Sequence, residues 1–235
     1  MITGGTRGIG AELVKQYQAQ GYRVVATGRS ADSVAAAAKG APEVQWLVAD
    51  FASTQQSHQL GQQLANYDFD IFIHNAGLQQ PRNLFLPQLL LCSSEDEINI
   101  NLTAPVLLTP YLLERLHARQ GKLAFITSGL AVAPKQSSPV YCAAKAGLRT
   151  YVKCLREQAR QHQSRMLVSE VIMTLVDTDM TRGRGDGKIS PQQAAAEVID
   201  GIAQGKTEIC IDKVRWVMAL RCLLPNTVEN LLLKR

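Results

Sequence analysis

The sequence predicts an α/β protein: a doubly wound parallel sheet with helices on both faces. Three observations carry this. Short apolar runs alternate with longer helical patterns over most of the 235 residues. Several runs are apolar on successive residues, as strands buried on both faces must be. A glycine-rich segment at the very start, Thr3-Gly4-Gly5-Thr6-Arg7-Gly8-Ile9-Gly10, leads straight into the first helical pattern.

Taken in order, strands are expected at 23–27, 44–48, 70–74, 122–127, 167–172 and 208–211. Helices are expected at 8–20, 31–39, 54–66, 94–119, 140–162 and 191–204. Gly21 follows the first helix, where a left-handed cap residue is wanted. Ser94-Glu95-Asp96-Glu97 reads as a capping box. Ser190-Pro191 places a cap residue before a first-turn proline. Pro105 and Pro110 fall inside 94–119, so one bent element is expected there. No linker, repeat or low-complexity segment interrupts the pattern, and the chain reads as one domain, 1–235.

Composition narrows the function. Of the residues 46% are hydrophobic, which argues against general disorder. No apolar run approaches the ~20 residues of a membrane span, and the N-terminus carries no secretory signal pattern. Five scattered cysteines without a C-x-x-C pair read as free thiols of a reducing cytoplasm, with no metal site. A net charge of +5 does not mark a nucleic-acid binder. The basic and apolar tail from Lys213 to Pro225 is read as packing on its own domain or a twin subunit, a membrane surface being the weaker alternative. His74 reads as a strand-end residue with a satisfied ring; His58, His117 and His162 read as solvated helix residues.

Glycines at 4, 8 and 10 allow a tight turn, close backbone approach and helix-to-strand packing. The free N–H groups of the following helix then suit a pyrophosphate. The spacing is G-x-x-x-G-x-G, not G-x-G-x-x-G. It resembles the cofactor loop of the short-chain dehydrogenase/reductase family, a group with a Rossmann-type fold. Further matches follow in order along the chain. Asp50 follows the strand at 44–48, where the resemblance implies a contact to adenine. Asn75-Ala76-Gly77 resembles the family's N-N-A-G, with His74 in place of the first Asn. Asn101 sits in I-N-L-T-A-P, in the helix implied to carry the family's catalytic Asn. Ser128 follows the strand at 122–127, and Tyr141-Cys-Ala-Ala-Lys145 matches Y-x-x-x-K. Val176-Asp-Thr178 matches the segment whose Thr meets the nicotinamide carboxamide. Within the family, T-S-G-L-A, P-V-Y-C-A-A-K-A and V-D-T-D-M resemble the oxidoreductase group of D-alanyl–lipoteichoic acid operons, which says little about substrate.

The implied activity is hydride transfer between NADP(H) and a small carbonyl or alcohol. The chemistry suits the residues. Tyr141 and Lys145 are four apart and share a helix face. An ammonium beside a phenol favours phenolate, so Lys145 is expected to lower the Tyr141 pKa from its usual ~10. Ser128 can donate to the same substrate oxygen. The resemblance adds that Lys145 holds the nicotinamide ribose and that Asn101 holds a proton-relaying water. The strand at 23–27 ends at Gly28-Arg29 with no carboxylate before Asp32. Arg29 can present its planar donors to a 2′-phosphate, which selects NADP over NAD. The resemblance places Arg7 on the same phosphate. The cofactor-binding set is then Gly4, Thr6, Arg7, Gly8, Ile9, Gly10, Arg29, Asp50, Asn75, Ala76, Gly77, Tyr141, Lys145 and Thr178. A homodimer or homotetramer is implied by analogy.

Three departures from the family pattern stand out. Only Met1 and Ile2 precede the glycine loop, where the family has a whole central strand, so a start further upstream is expected. Met173-Thr174 replaces the family's P-G, which leaves the backbone path near Thr178 open. Residues 181–190 form a short Gly-rich loop with Arg182, Arg184 and Lys188. That loop is read as solvated, with recognition of anionic substrates as the alternative. The rival from another class is a non-catalytic NADP-binding or interaction protein on the same fold. Sugar-nucleotide epimerisation needs a larger substrate region than follows residue 180.

Overall fold

A computed structural model describes residues 1–86 and 93–233; Cys92, expected as a free thiol, lies outside the described residues. Strand β1 (Val25–Gly28) pairs in parallel with β2 (Gln45–Val48). Strands β3 (Ile71–His74), β4 (Lys122–Ser128), β5 (Leu167–Met173) and β6 (Glu208–Cys210) form a second parallel run in that order.

Residues 1–3 join the two runs. Ile2 N donates to Val25 O at 2.9 Å, and Thr27 N donates back to Ile2 O at 3.1 Å. On the other side, Ile73 N donates to Met1 O at 2.9 Å and Thr3 N to Ile73 O at 3.0 Å. The lane is short but well filled: Ile2 is 2% exposed. From this lane the chain winds outward through β1 and β2, then crosses to β3 and winds the other way. The carboxyl ends of the strands therefore open a crevice at the switch point, where ligands of such folds bind.

The helices are α1 (Gly8–Ala19), α2 (Ala31–Gly40), α3 (Thr54–Leu64), α4 (Ser94–Ile98), α5 (Ala104–Ala118), α6 (Pro139–Gln161), α7 (Pro191–Ala203), α8 (Val214–Leu223) and α9 (Pro225–Leu233). Alternating strand residues feed two cores. Ile2, Ile73, Ala124 and Val171 pack with Leu13 and Val14 of α1 and Val198 and Ile202 of α7. Met1, Phe72, Leu123 and Phe125 pack on the opposite face with Leu108 and Leu112 of α5 and Leu148 and Val152 of α6. Each such side chain contributes roughly 1.5–3 kcal/mol when fully buried.

The expected caps at Gly21 (φ +83°) and Ser190, which accepts from Gln193 N at 3.1 Å, are present. The cap before α4 is Ser93 rather than Ser94. Its hydroxyl accepts from Asp96 N at 2.9 Å while Asp96 accepts from Ser93 N at 3.2 Å. The expected bend is not a proline kink. A π-helical turn, Asn99–Thr103, lies between α4 and α5, and α5 runs on through Pro110. Pro105 falls in the first turn of α5, where its missing N–H costs nothing.

The tail, expected to pack, forms α8 and α9. Val214 and Val228 are buried, while Trp216 and Leu223 are exposed. Among the described residues no helix is long and apolar enough to cross a membrane.

Candidate active site

A cleft of about 660 Å³ opens along the carboxyl ends of the strands. Every residue named from the sequence lines it except Asn101. One end holds Arg29 and Asp50, the middle the glycine loop, and the far end Ser128, Tyr141 and Lys145.

The glycine loop is shaped by crowding. Gly4 and Gly8 have φ of +66° and +56°, a region that side chains with Cβ disfavour. A Cβ on Gly10 would lie 2.0 Å from Gly4 O. Asn75 ties the loop to the end of β3, its Nδ2 donating to Thr3 O at 3.0 Å and Gly4 O at 3.1 Å. Thr3 Oγ1 in turn accepts from Asn75 N and Ala76 N, each at 3.0 Å. The N-terminus of α1 carries no side-chain cap and no acid in its first turn. Its first N–H groups are thus left to a ligand, and the dipole there favours an anion.

Arg29 leaves β1 at its carboxyl end and, like Arg7, is exposed at the cleft wall. Among the described residues neither makes an ion pair. Asp50 turns part of its carboxylate inward, accepting from Ala52 N at 3.0 Å. Thr178 sits against the glycine loop: a Cβ on Gly8 would meet its Cγ2 at 3.3 Å. Met173 and Thr174 also line the cleft, so the changed dipeptide still carries the backbone past the site.

Tyr141 and Lys145 lie on α6, Ser128 at the end of β4. Lys145 is 3% exposed, and its Nζ donates to Ile126 O at 2.8 Å. The ammonium lies 5.8 Å from the centroid of the Tyr141 ring. Burial holds the Lys145 pKa down to about 8. For Tyr141 the expected direction is reversed. Burial pushes its pKa up to about 12, against a smaller downward pull from a hydrogen bond with Ser128. Desolvation of a phenolate outweighs the pull of Ser128 and of the Arg184 charge.

Asn101 stands behind the cleft lining rather than in it. It lies in the π-helical turn, fully buried. Its Nδ2 donates to Leu78 O at 2.6 Å and Glu97 O at 2.8 Å, and its Oδ1 accepts from Leu78 N at 3.3 Å. Both side-chain donors are spent on backbone, so the side chain braces the cleft wall at Gly77 and Leu78, and a water there would have to donate to an oxygen of Asn101. His74 differs from expectation too. Its Nε2 has no partner among the described residues, and its ring stacks on Phe125 with centroids 4.7 Å apart. Burial lowers its pKa to about 3, so it is neutral.

Sequence reasoning missed the buried pair beneath this wall. Arg82 Nη2 meets Glu97 Oε2 at 2.8 Å, and Gln80 N donates to Glu97 Oε1 at 3.0 Å. In the sequence Glu97 reads as part of a capping box; only its position one turn before Asn101 signals an inward face. The 181–190 loop is mostly exposed, as expected, with Thr181 and Ile189 buried near its ends. Arg182 pairs with Asp179, and Lys188 donates to Thr181 O at 2.8 Å. Arg184 points back into the cleft, Nη2 donating to Gln79 O at 3.3 Å.

A doubly wound sheet, a glycine loop opening α1 and a Ser-Tyr-Lys set at the far end of the cleft define a nucleotide-binding oxidoreductase class. The family model for short chain dehydrogenases matches residues 1–188, and the chain belongs to that family. It is 33% identical over 226 residues to the uncharacterized oxidoreductase DltE of Bacillus subtilis, covering 91% of this chain and 88% of that protein. This agrees with the narrower likeness at 127–131, 139–146 and 176–180. Among solved structures, a short chain dehydrogenase from Burkholderia cenocepacia in complex with NADP superposes with a TM-score of 0.86 at 20% identity, covering 100% and 96% of the two chains. One from Sphingobium yanoikuyae in complex with NADPH gives 0.80 at 20% identity, covering 96% and 94%.

Proposed function

We propose that the chain is an NADP(H)-dependent oxidoreductase acting on a carbonyl or the matching alcohol, with Tyr141 as the general acid and base. The observation that carries this is the Tyr141 hydroxyl in the cleft beside Ser128, on a half-buried side chain, with the Lys145 ammonium 5.8 Å from the centre of its ring.

The cofactor fits the residues present. The cradle between Gly4, Gly8 and Gly10 would be closed by any Cβ at Gly10, and the uncapped start of α1 suits a pyrophosphate. Arg29 and Arg7 supply positive charge that no ion pair takes up among the described residues, which favours a 2′-phosphate. The NADP and NADPH of the two solved relatives agree with this reading. Asp50 would face the adenine end and Thr178 the nicotinamide end. When bound, the nicotinamide supplies or accepts the hydride.

The chain's own groups handle the proton. Tyr141, protonated across the neutral range, gives its proton to the carbonyl oxygen as the alcohol forms. Ser128 donates a hydrogen bond to the same oxygen and stabilises its developing charge. Lys145, charged below about pH 8, favours the phenolate left on Tyr141. Asn101 acts as a positioning residue through Leu78 and Glu97. In the reverse direction Tyr141 must first lose its proton and then accepts one from the alcohol.

The test is NADPH consumption with a panel of ketones, aldehydes and quinones. At least one is expected to turn over, and Tyr141→Phe to cut the rate ~10²–10⁴-fold with NADPH binding kept. Binding without turnover of any carbonyl, or a fully active Tyr141→Phe protein, would favour a non-catalytic binding protein or a different acid.

A further inference from the structure

Arg184 is a cation of the cleft that the proposed chemistry leaves unused. It stands on the loop between β5 and α7, whose base is pinned by the parallel bridge of Val176 to Ile189. Lys188 Nζ ties the same loop down to Thr181 O at 2.8 Å and to Asp177 at 3.3 Å. Gly183 and Gly185 flank Arg184 with φ of +71° and +56°. These left-handed positions reverse the backbone on both sides of it, a path a side chain with Cβ resists. The three basic residues of the loop thus have different fates. Arg182 turns outward to Asp179, Lys188 is tied to the loop itself, and Arg184 enters the cleft.

Inside the cleft, one end of the guanidinium is held and the other is free. Nη2 donates to Gln79 O at 3.3 Å, while Nη1 is buried with no partner among the described residues. A buried guanidinium nitrogen left unsatisfied is costly, and a planar fork of donors is suited to a carboxylate. The acids nearest in sequence do not serve it: Asp179 pairs with Arg182, and Asp186 is exposed and makes no ion pair among the described residues. Glu97, whose charge reaches Arg184 at a distance, is occupied by Arg82 and Gln80 N. Arg184 also lies close enough to Tyr141 for its charge to favour the phenolate. Both residues line one cleft, so a single substrate molecule can span them. The surrounding wall is apolar, with Leu130, Leu175 and Val217, and a second cation, Lys135, lines the same cleft.

We propose that Arg184 reads an anionic group on the substrate, and that the substrates are oxo acids, or the matching hydroxy acids, whose carboxylate meets the free end of this guanidinium while the carbonyl meets Tyr141. This rests on the hydride-transfer reading above and narrows it to a substrate class.

The experiment compares acids with their uncharged esters. Pyruvate, acetoacetate and levulinate, each beside its methyl ester, are offered with NADPH to the wild-type protein, Arg184→Met and Arg184→Lys. At least one acid is expected to exceed its ester about 10- to 100-fold in kcat/KM, the range for a hydrogen bond to a charged group. In Arg184→Met that ratio should fall toward one; in Arg184→Lys part of it should survive. Equal use of acid and ester by the wild type, or an equal loss for both in Arg184→Met, overturns the assignment. If no carbonyl of any kind turns over, the hydride-transfer reading has failed, and the anion site is judged by binding alone. Levulinate should then still perturb the fluorescence of bound NADPH in the wild type and not in Arg184→Met. No levulinate effect in the wild type would overturn the anion site too.

Discussion

Lys145 reaches past Tyr141 rather than to its oxygen. Its ammonium donates to Ile126 O at 2.8 Å and stands 5.8 Å from the centre of the Tyr141 ring. The pair therefore divides its protonation states: burial holds Tyr141 up to about 12 and Lys145 down to about 8.

A pH dependence with opposite signs in the two directions follows. Reduction needs the Tyr141 proton, which a raised pKa retains. Its kcat/KM should be flat from about pH 6 to about pH 8 and fall above that as Lys145 loses its charge. Oxidation needs the phenolate, the minor form throughout. Its kcat/KM should climb across the same range and beyond, without a neutral plateau. Initial rates in both directions check this; an oxidation plateau near neutrality would show a depressed Tyr141 pKa instead.

Cofactor choice turns on the end of β1. Arg29 and Arg7 stand at the cleft wall without ion-pair partners among the described residues, and no carboxylate follows β1 before Asp32. NADPH should be preferred over NADH. Arg29→Ala should weaken NADPH by ~1.5–3 kcal/mol, the range for a hydrogen bond to a charged group, and leave NADH nearly unmoved. Kd values for both dinucleotides, taken by fluorescence titration, decide it. An equal loss for the two would mean that the 2′-phosphate is not read here.

Most of the lining of the candidate cleft was legible because it depends on local chemistry. Gly4, Gly8 and Gly10 announce themselves by spacing, and Tyr141 and Lys145 share a helix face whatever else surrounds them. Strand existence was equally readable, since β4 and β5 are apolar on successive residues. What failed depended on tertiary surroundings. The direction of the Tyr141 shift follows from burial, which a four-residue spacing cannot report. That the Asn101 amide donates to Leu78 O and Glu97 O depends on the π-helical turn, which no spacing announces. Ser94 and Ser93 are equivalent as caps until the turn closes. The truncated first strand was legible in its two apolar residues, whereas their place between β1 and β3 shows only in the pairing with Val25, Thr27 and Ile73.

The buried pair beneath the cleft wall should be a stability determinant. Arg82 donates through Nε and Nη2 to Glu97 Oε2, at 3.0 and 2.8 Å, and both side chains are almost fully enclosed. Arg82→Met leaves the Glu97 carboxylate buried without this partner and should cost about 3–5 kcal/mol. Adding Glu97→Gln, which removes the charge, should recover part of that loss. Urea unfolding of the single and double variants measures it. A single-variant loss below about 1 kcal/mol would mean that the pair behaves like an exposed one.

The glycine loop offers a contrast between two alanine substitutions. A Cβ on Gly10 would lie 2.0 Å from Gly4 O and 2.6 Å from Asn75 Nδ2. Neither can yield freely, because the Asn75 amide holds Gly4 O and Thr3 O at the end of β3. Gly10→Ala must therefore push the loop off β3, and the shift falls where the pyrophosphate would lie. Overpacking of this kind costs typically ~1–3 kcal/mol, and NADPH binding should weaken by more than the stability loss alone explains. Gly40 ends α2, and a Cβ there meets nothing within 4 Å. Gly40→Ala should be neutral or stabilise by roughly 0.5–1 kcal/mol, with NADPH affinity unchanged. Thermal melts with and without NADPH separate the two effects. If Gly10→Ala melts lower yet gains the same NADPH-dependent shift as the wild type, the loop does not cradle the dinucleotide.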